Sequence, residues 1–71
     1  MTISEYRGDR GLSLEAFGLL IGKTKGHVHA IESEGRCSAK LALKIEEVTG
    51  GKVDAASLNE EIAAARNVKA A

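Results

Sequence analysis

Residues 12–33, LSLEAFGLLIGKTKGHVHAIES, constrain the fold more than any other stretch of the chain. Ser13 stands where its hydroxyl can accept from an early backbone N–H that has no partner inside a helix. Leu12 precedes that cap and Phe17 follows five residues later. This is the spacing of a hydrophobic staple, which fixes the angle at which the chain enters the helix. Phe17, Leu20 and Ile21 then share one helical face. Gly22 comes next, and glycine can adopt the left-handed conformation that ends a helix. Thr24 is a second cap, and Val28 and Ile31 are the buried stripe of a second helix. The outward positions, Lys25, Gly26, His27, His29, Ala30 and Ser33, are small, polar or cationic. Two capped stripes on either side of one glycine leave room for two short helices joined by a tight turn.

The flanks read in similar terms. Thr2 and Glu5 have capping-box spacing, Ile3 and Tyr6 supply an apolar side, and Gly11 ends this first helix. Gly8 and Gly11 lower its intrinsic helicity. Ser33–Cys37 is expected to form a loop turning at Gly35. Ser38 caps a fourth helix with Leu41, Ala42, Ile45 and Val48 on one face, stopped by Thr49, Gly50 and Gly51. Val53, Asp54 and Leu58 repeat the staple-and-cap arrangement for a fifth helix ending at about Asn67. Its stripe is Leu58, Ile62 and Ala65, and the Asn67–Ala71 tail is expected to fray. There is no proline and no strand-like alternation. The expectation is an all-α, compact five-helix domain spanning 1–71, with its core over about 3–50 and the fifth helix over about 54–67.

Gly18 in the first helix of the central pair, Gly22 at the turn, Val28 and Ile31 in the second helix, and Glu32 at its end resemble the helix-turn-helix of Cro and lambda-repressor-like regulators, the Xre family. The resemblance runs from about Ile3 to Gly50. It implies a lambda-repressor-like helix-turn-helix fold in which Gly18 lets the helices cross closely. It also implies that Arg7 of the first helix pairs with Glu32. Lys23 departs from the family, where a hydrophobe is usual; its stem can cover apolar surface while the amine reaches out. Gly26 departs too, where Ser or Gln is common. It offers no side chain for base reading but permits close backbone approach.

Seventy-one residues make one small domain, with little room for a catalytic cavity. A chain this short buries only about 60% of its unfolded surface, so association with a second copy would stabilise it. The single cysteine, Cys37, rules out an internal disulfide and fits a reducing compartment. There is no apolar run of membrane-spanning length and no signal-peptide pattern, so the chain reads as cytoplasmic. Ten basic residues balance ten acidic ones, but unevenly. Residues 23–44 hold Lys23, Lys25, Arg36, Lys40 and Lys44 against Glu32 and Glu34, whereas 45–71 carry an acidic excess. A positive stretch centred on the second helix of the pair is the pattern of a DNA-facing edge, although ordinary surface charge would give it as well.

The resemblance implies a site on double-stranded DNA. A helix in the major groove reads bases from near its N-terminus while surrounding residues grip phosphates. Lys25 and His29 are then the base readers, with Lys25 donating to the O6 and N7 acceptors of guanine, and Ala30 meets a thymine methyl. Lys23, Thr24 and His27 are placed for phosphate or auxiliary contact, and the amides opening the helix can bind phosphate as well. Arg36, Ser38 and Lys40 resemble a second backbone clamp, and Gly26 and Ser33 complete the face. The implied function is a sequence-specific transcriptional regulator, a Cro-like repressor acting as a homodimer on an operator by promoter occlusion. An antitoxin-type autoregulator with a small protein partner, or an interaction module that binds no DNA, remains open. The fifth helix either completes the monomer core or makes the dimer, and the dimer role is slightly favoured.

Other chemistry is not supported. His27 and His29, two apart on a helix, point in different directions, and with Cys37 they fall short of the four ligands of structural zinc. Cys37 lacks the neighbours of a nucleophile, and Glu46–Glu47 and Glu60–Glu61 read as solvated faces. No catalytic residue, metal ligand or cofactor is assigned.

Overall fold

Hydroxyl residues start the first four helices and glycines end the first three. The computed structural model describes residues 1–68, in the order α1 (Ile3–Arg10), α2 (Leu14–Ile21), α3 (Lys25–Glu34), α4 (Ala39–Val48), a 3-10 turn (Ala55–Ser57) and α5 (Glu60–Val68). Thr2, Ser13, Thr24 and Ser38 each accept a hydrogen bond from the backbone N–H three residues on. At α1 the Glu5 carboxylate accepts from the Thr2 N–H in return, completing the capping box and lowering the Glu5 pKa through that backbone bond. Gly22 ends α2 at φ 72°, a conformation that a side chain would strain. The fold is all-α, with no strand among the described residues.

The helices close around Phe17, Val28, Ile45 and Val53, all fully buried. Ile3 and Tyr6 of α1, Ile21 of α2, Ile31 of α3 and Leu41 and Ala42 of α4 complete the centre. Tyr6 meets Phe17 edge to face at 6.1 Å between centroids, and the Arg10 guanidinium covers the Tyr6 ring from 5.1 Å. Leu12 packs half-buried against this core, as its staple position requires. Gly18 is buried where a Cβ would lie only 2.4 Å from the Lys23 carbonyl oxygen. The close approach at this residue is thus to the backbone of the turn, and the Lys23 N–H donates to the Gly18 carbonyl across it at 2.8 Å.

Arg7 ties α1 to α3 and to the connection between α1 and α2. Its Nε and Nη2 donate to the two Glu32 carboxylate oxygens at 2.6 and 3.1 Å, and Nη1 donates to the Leu12 carbonyl at 3.0 Å. The pair is substantially shielded, at 20% and 15% side-chain exposure. Its bidentate hydrogen bonding to Glu32 raises the Arg7 pKa.

Several expectations are corrected. Leu20 lies off the core face at 45% exposure, because the α2 stripe is Phe17, Gly18 and Ile21. Ser33 and Glu34 are helical rather than loop, and α3 ends only at Gly35, φ 73°. The expected fifth helix is two elements. Asp54 caps the 3-10 turn, and Asn59 starts α5 by accepting from the Glu61 and Ile62 N–H groups. Leu58 and Ile62 pack into the monomer core, whereas Ala65 is exposed. Glu46, read as part of a solvated pair, instead accepts from Arg66 and from the Ala55 N–H. The expected fraying of the tail lies, beyond Val68, outside the described residues. No helix among the described residues is long and apolar enough to cross a membrane.

Candidate nucleic-acid interface

Val28 and Ile31, buried against the rest of the domain, fix how α3 is turned about its own axis. At 100° per residue the opposite face then carries Gly26, His29, Ala30 and Ser33, with Lys25 and His27 on its two flanks. All six are exposed. The outermost positions are small, so a surface meeting this face can approach the helix backbone. Longer donors stand to either side. Lys25 and His29 are one turn apart and project together.

The N-terminal end of α3 adds to this face. Thr24 satisfies the His27 N–H at 3.3 Å, and no acidic residue occupies the first turn. The positive end of the helix dipole is therefore not neutralised by a neighbouring carboxylate. Lys23 and Thr24 in the turn, and Arg36, Ser38 and Lys40 around the start of α4, are exposed as well. Ser38 uses its hydroxyl on the Leu41 N–H.

The positive stretch of the chain stays positive in space. Glu32 is held by Arg7, and Glu46 and Asp54 are held by Arg66. Among the described residues Lys23, Lys25, Arg36 and Lys40 make no ion pair. The chain is neutral overall, yet of the described cations outside any ion pair these four lie around α3 and the start of α4, with Arg10 and Lys52 elsewhere and Glu34 an exposed acid among the four.

Every residue assigned from the sequence to the DNA-facing site is therefore exposed between the α2–α3 turn and the first turn of α4. Sequence reasoning missed three features nearby. Leu19 is 80% exposed and Leu43 49%, so α2 and α4 each present a leucine outward. Cys37 also has a structural role. Its N–H donates to the Leu58 carbonyl at 2.9 Å and its carbonyl accepts from Asn59 at 2.9 Å, tying the α3–α4 connection to the start of α5. Partial burial pushes its thiol pKa up, away from the reactive thiolate. Thr49, the one buried polar residue among those described, donates to the Ile45 carbonyl and accepts from the Val53 N–H, anchoring the turn after α4. A mid-length, solvent-exposed pairing such as Arg66 with Glu46 leaves no periodic signal in a sequence. Comparison with protein-family models, curated proteins and solved structures finds no match to this chain.

Proposed function

We propose that this protein is a sequence-specific DNA-binding transcriptional regulator of the Cro and lambda-repressor type, acting as a homodimeric repressor by promoter occlusion. The observation that carries the reading is the exposed, acid-poor outer face of α3, backed by a two-helix unit whose orientation is locked from behind by Val28, Ile31 and the Arg7–Glu32 pair. In this reading α3 lies in the major groove. Gly26, Ala30 and Ser33 allow it to seat deeply, Lys25 and His29 donate to base edges, and Ala30 meets a thymine methyl. Lys23, Thr24 and His27 with the first α3 amides hold one stretch of phosphate, while Arg36, Ser38 and Lys40 hold another. Two copies would place their α3 helices about 34 Å apart, one turn of the duplex.

Selection of bound sequences from a random duplex pool tests the reading. The expected result is an enriched inverted repeat whose winner loses affinity steeply with salt. No enrichment at low salt with folded protein would overturn it. Lys25→Ala should then cost about 1–3 kcal/mol on the selected site and relax preference at one base pair. An equal loss on every sequence would make Lys25 a phosphate contact instead.

A second reading takes support from Leu19, whose 80% exposure is unusual for so large an apolar side chain beside a partly exposed Leu20. It makes the helix pair a protein-interaction module, and it predicts no salt-dependent DNA binding.

A further inference from the structure

An open groove of about 610 Å³ runs between the end of α2 and α4. Its apolar part is formed by Ile21, Leu41 and Leu43, and Leu43 is 49% exposed on it. Lys23, Lys40 and Lys44 surround that part. The one acid in the lining is Glu47, 3.8 Å from Lys44. Three lysines and one carboxylate thus line a groove whose floor is the nearly buried Ile21 and Leu41 and whose exposed apolar side chain is Leu43. The contrast with the groove beside Cys37 is instructive, because there Glu34, Glu60 and Glu61 line the wall.

A phosphate backbone would satisfy the lysines but leave Leu43 in water. An apolar ligand would cover the floor but leave the lysines uncompensated. A helix with apolar residues on one face and carboxylates beside them satisfies both requirements, in the helix-in-groove mode of recognition. We propose that this groove docks an acidic amphipathic helix of a second protein. Lys23, Ser38 and Lys40 also line it, and these residues belong to the phosphate grip proposed above. Docking and DNA binding are therefore mutually exclusive, a regulatory consequence that rests on the DNA-binding reading, whereas the docking itself does not.

The probe is a helical peptide of leucine and glutamate, about four turns long, with leucines at i, i+3, i+4 and i+7. A scrambled peptide of the same composition is the control. Binding is followed by NMR on the full chain without DNA. The expected result is saturable shifts at Ile21, Leu41 and Leu43, stronger for the patterned peptide. Leu43→Ala should weaken the peptide about five- to thirtyfold, the loss typical of an interface anchor. The same variant should leave the fold and the affinity for a selected duplex unchanged. No binding, equal binding of the scrambled peptide, or shifts that map elsewhere would overturn the docking site. Added to a protein–duplex complex, the peptide should release the DNA; a ternary complex would overturn the exclusivity. Peptide binding by a protein that takes no duplex would support the groove while refuting the DNA reading.

Discussion

Two arginines clasp three carboxylates in this molecule, and they do different things. Arg7 reaches Glu32 with two hydrogen bonds and the Leu12 carbonyl with a third, at 20% and 15% side-chain exposure for the pair. Arg66 reaches Glu46 with two hydrogen bonds and Asp54 with a third, at 42%, 27% and 60% exposure. The chemistry is nearly the same and the setting is not. Around Arg7 the charges are partly desolvated and surrounded by packed helices, so losing one partner strands the other. Around Arg66 water can replace either partner, and such pairs contribute little to global stability. The N-terminal half is thereby a rigid frame for α3, while α5 is latched to the surface of that frame by Ile62 and one arginine.

The rigidity of the frame is most sharply tested at Gly18. An alanine methyl would lie 2.4 Å from the Lys23 carbonyl oxygen, and neither side of the contact is a flexible side chain. Gly18→Ala should destabilise the protein by about 2–3 kcal/mol, because backbone must move to relieve the overlap. The same substitution at Gly8, also helical but with nothing within 4 Å of the added Cβ, should stabilise by about 0.5–1 kcal/mol. Denaturation with urea reads both. Equal effects at the two glycines would mean that the α2–α3 turn is not under tight steric control.

Glu32→Ala comes next. It leaves the Arg7 guanidinium partly buried without its carboxylate, and a cost of about 2 kcal/mol follows. For a chain of this length that is a fall in Tm on the order of 10 °C. Arg7→Ala with Glu32→Ala should cost less than the two single losses added, since neither charge is then stranded. Additive losses would show that the two residues act independently, and the contrast with Arg66 would disappear.

The frame was the legible half for a physical reason. Caps, staples and left-handed glycines act within four or five residues, so Thr2, Ser13, Thr24, Ser38 and Gly22 could be placed from spacing alone. The Arg7–Glu32 contact spans 25 residues and was reached only through a resemblance. The C-terminal part was less legible because Asp54 is a good cap for whatever follows it. Nothing local distinguishes a long helix from a 3-10 turn restarted at Asn59. Which leucines face outward also escaped the pattern, since Leu19, Leu20 and Ile21 are consecutive and only packing against α3 and α4 selects Ile21. The candidate interface was legible residue by residue, and the one acid on α3 that an arginine takes out of play, Glu32, was reached with its partner Arg7 only through the resemblance.

Arg66→Ala should then separate α5 from the frame without unfolding it. The expected outcome is faster amide exchange over residues 61–66 with the Phe17 and Val28 amides still protected, and a urea midpoint close to that of the unaltered protein. A cooperative loss of protection in α2 and α3 as well would make α5 an integral part of the frame, and the two clasps equivalent.

The smallest effect expected is one of pH on the same latch. The Arg66 guanidinium, hydrogen-bonded to Glu46, and the Ala55 N–H lower the Glu46 pKa from 4.5 to about 2. A carboxylate depressed in the folded state contributes stability that is fully present above its ordinary pKa and is lost as pH falls through the folded value. The α5 latch should therefore hold from neutral pH down to about 4.5, weaken progressively below it, and be released near 2. Glu5 is also depressed by its capping box, so acid loosens α1 too, and the readout must be local. Amide exchange of Ala63 and Arg66, followed from neutral pH into that acid range and corrected for the intrinsic pH dependence of exchange, reports the latch alone. Glu46→Gln keeps the shape of the side chain and removes its titration. In that variant α5 should exchange quickly at neutral pH and change little on acidification. If the unaltered protein instead keeps its α5 protection to pH 2, packing of Ile62 and not the ion pair holds the helix, and Arg66 is only decorating a contact that the core already makes.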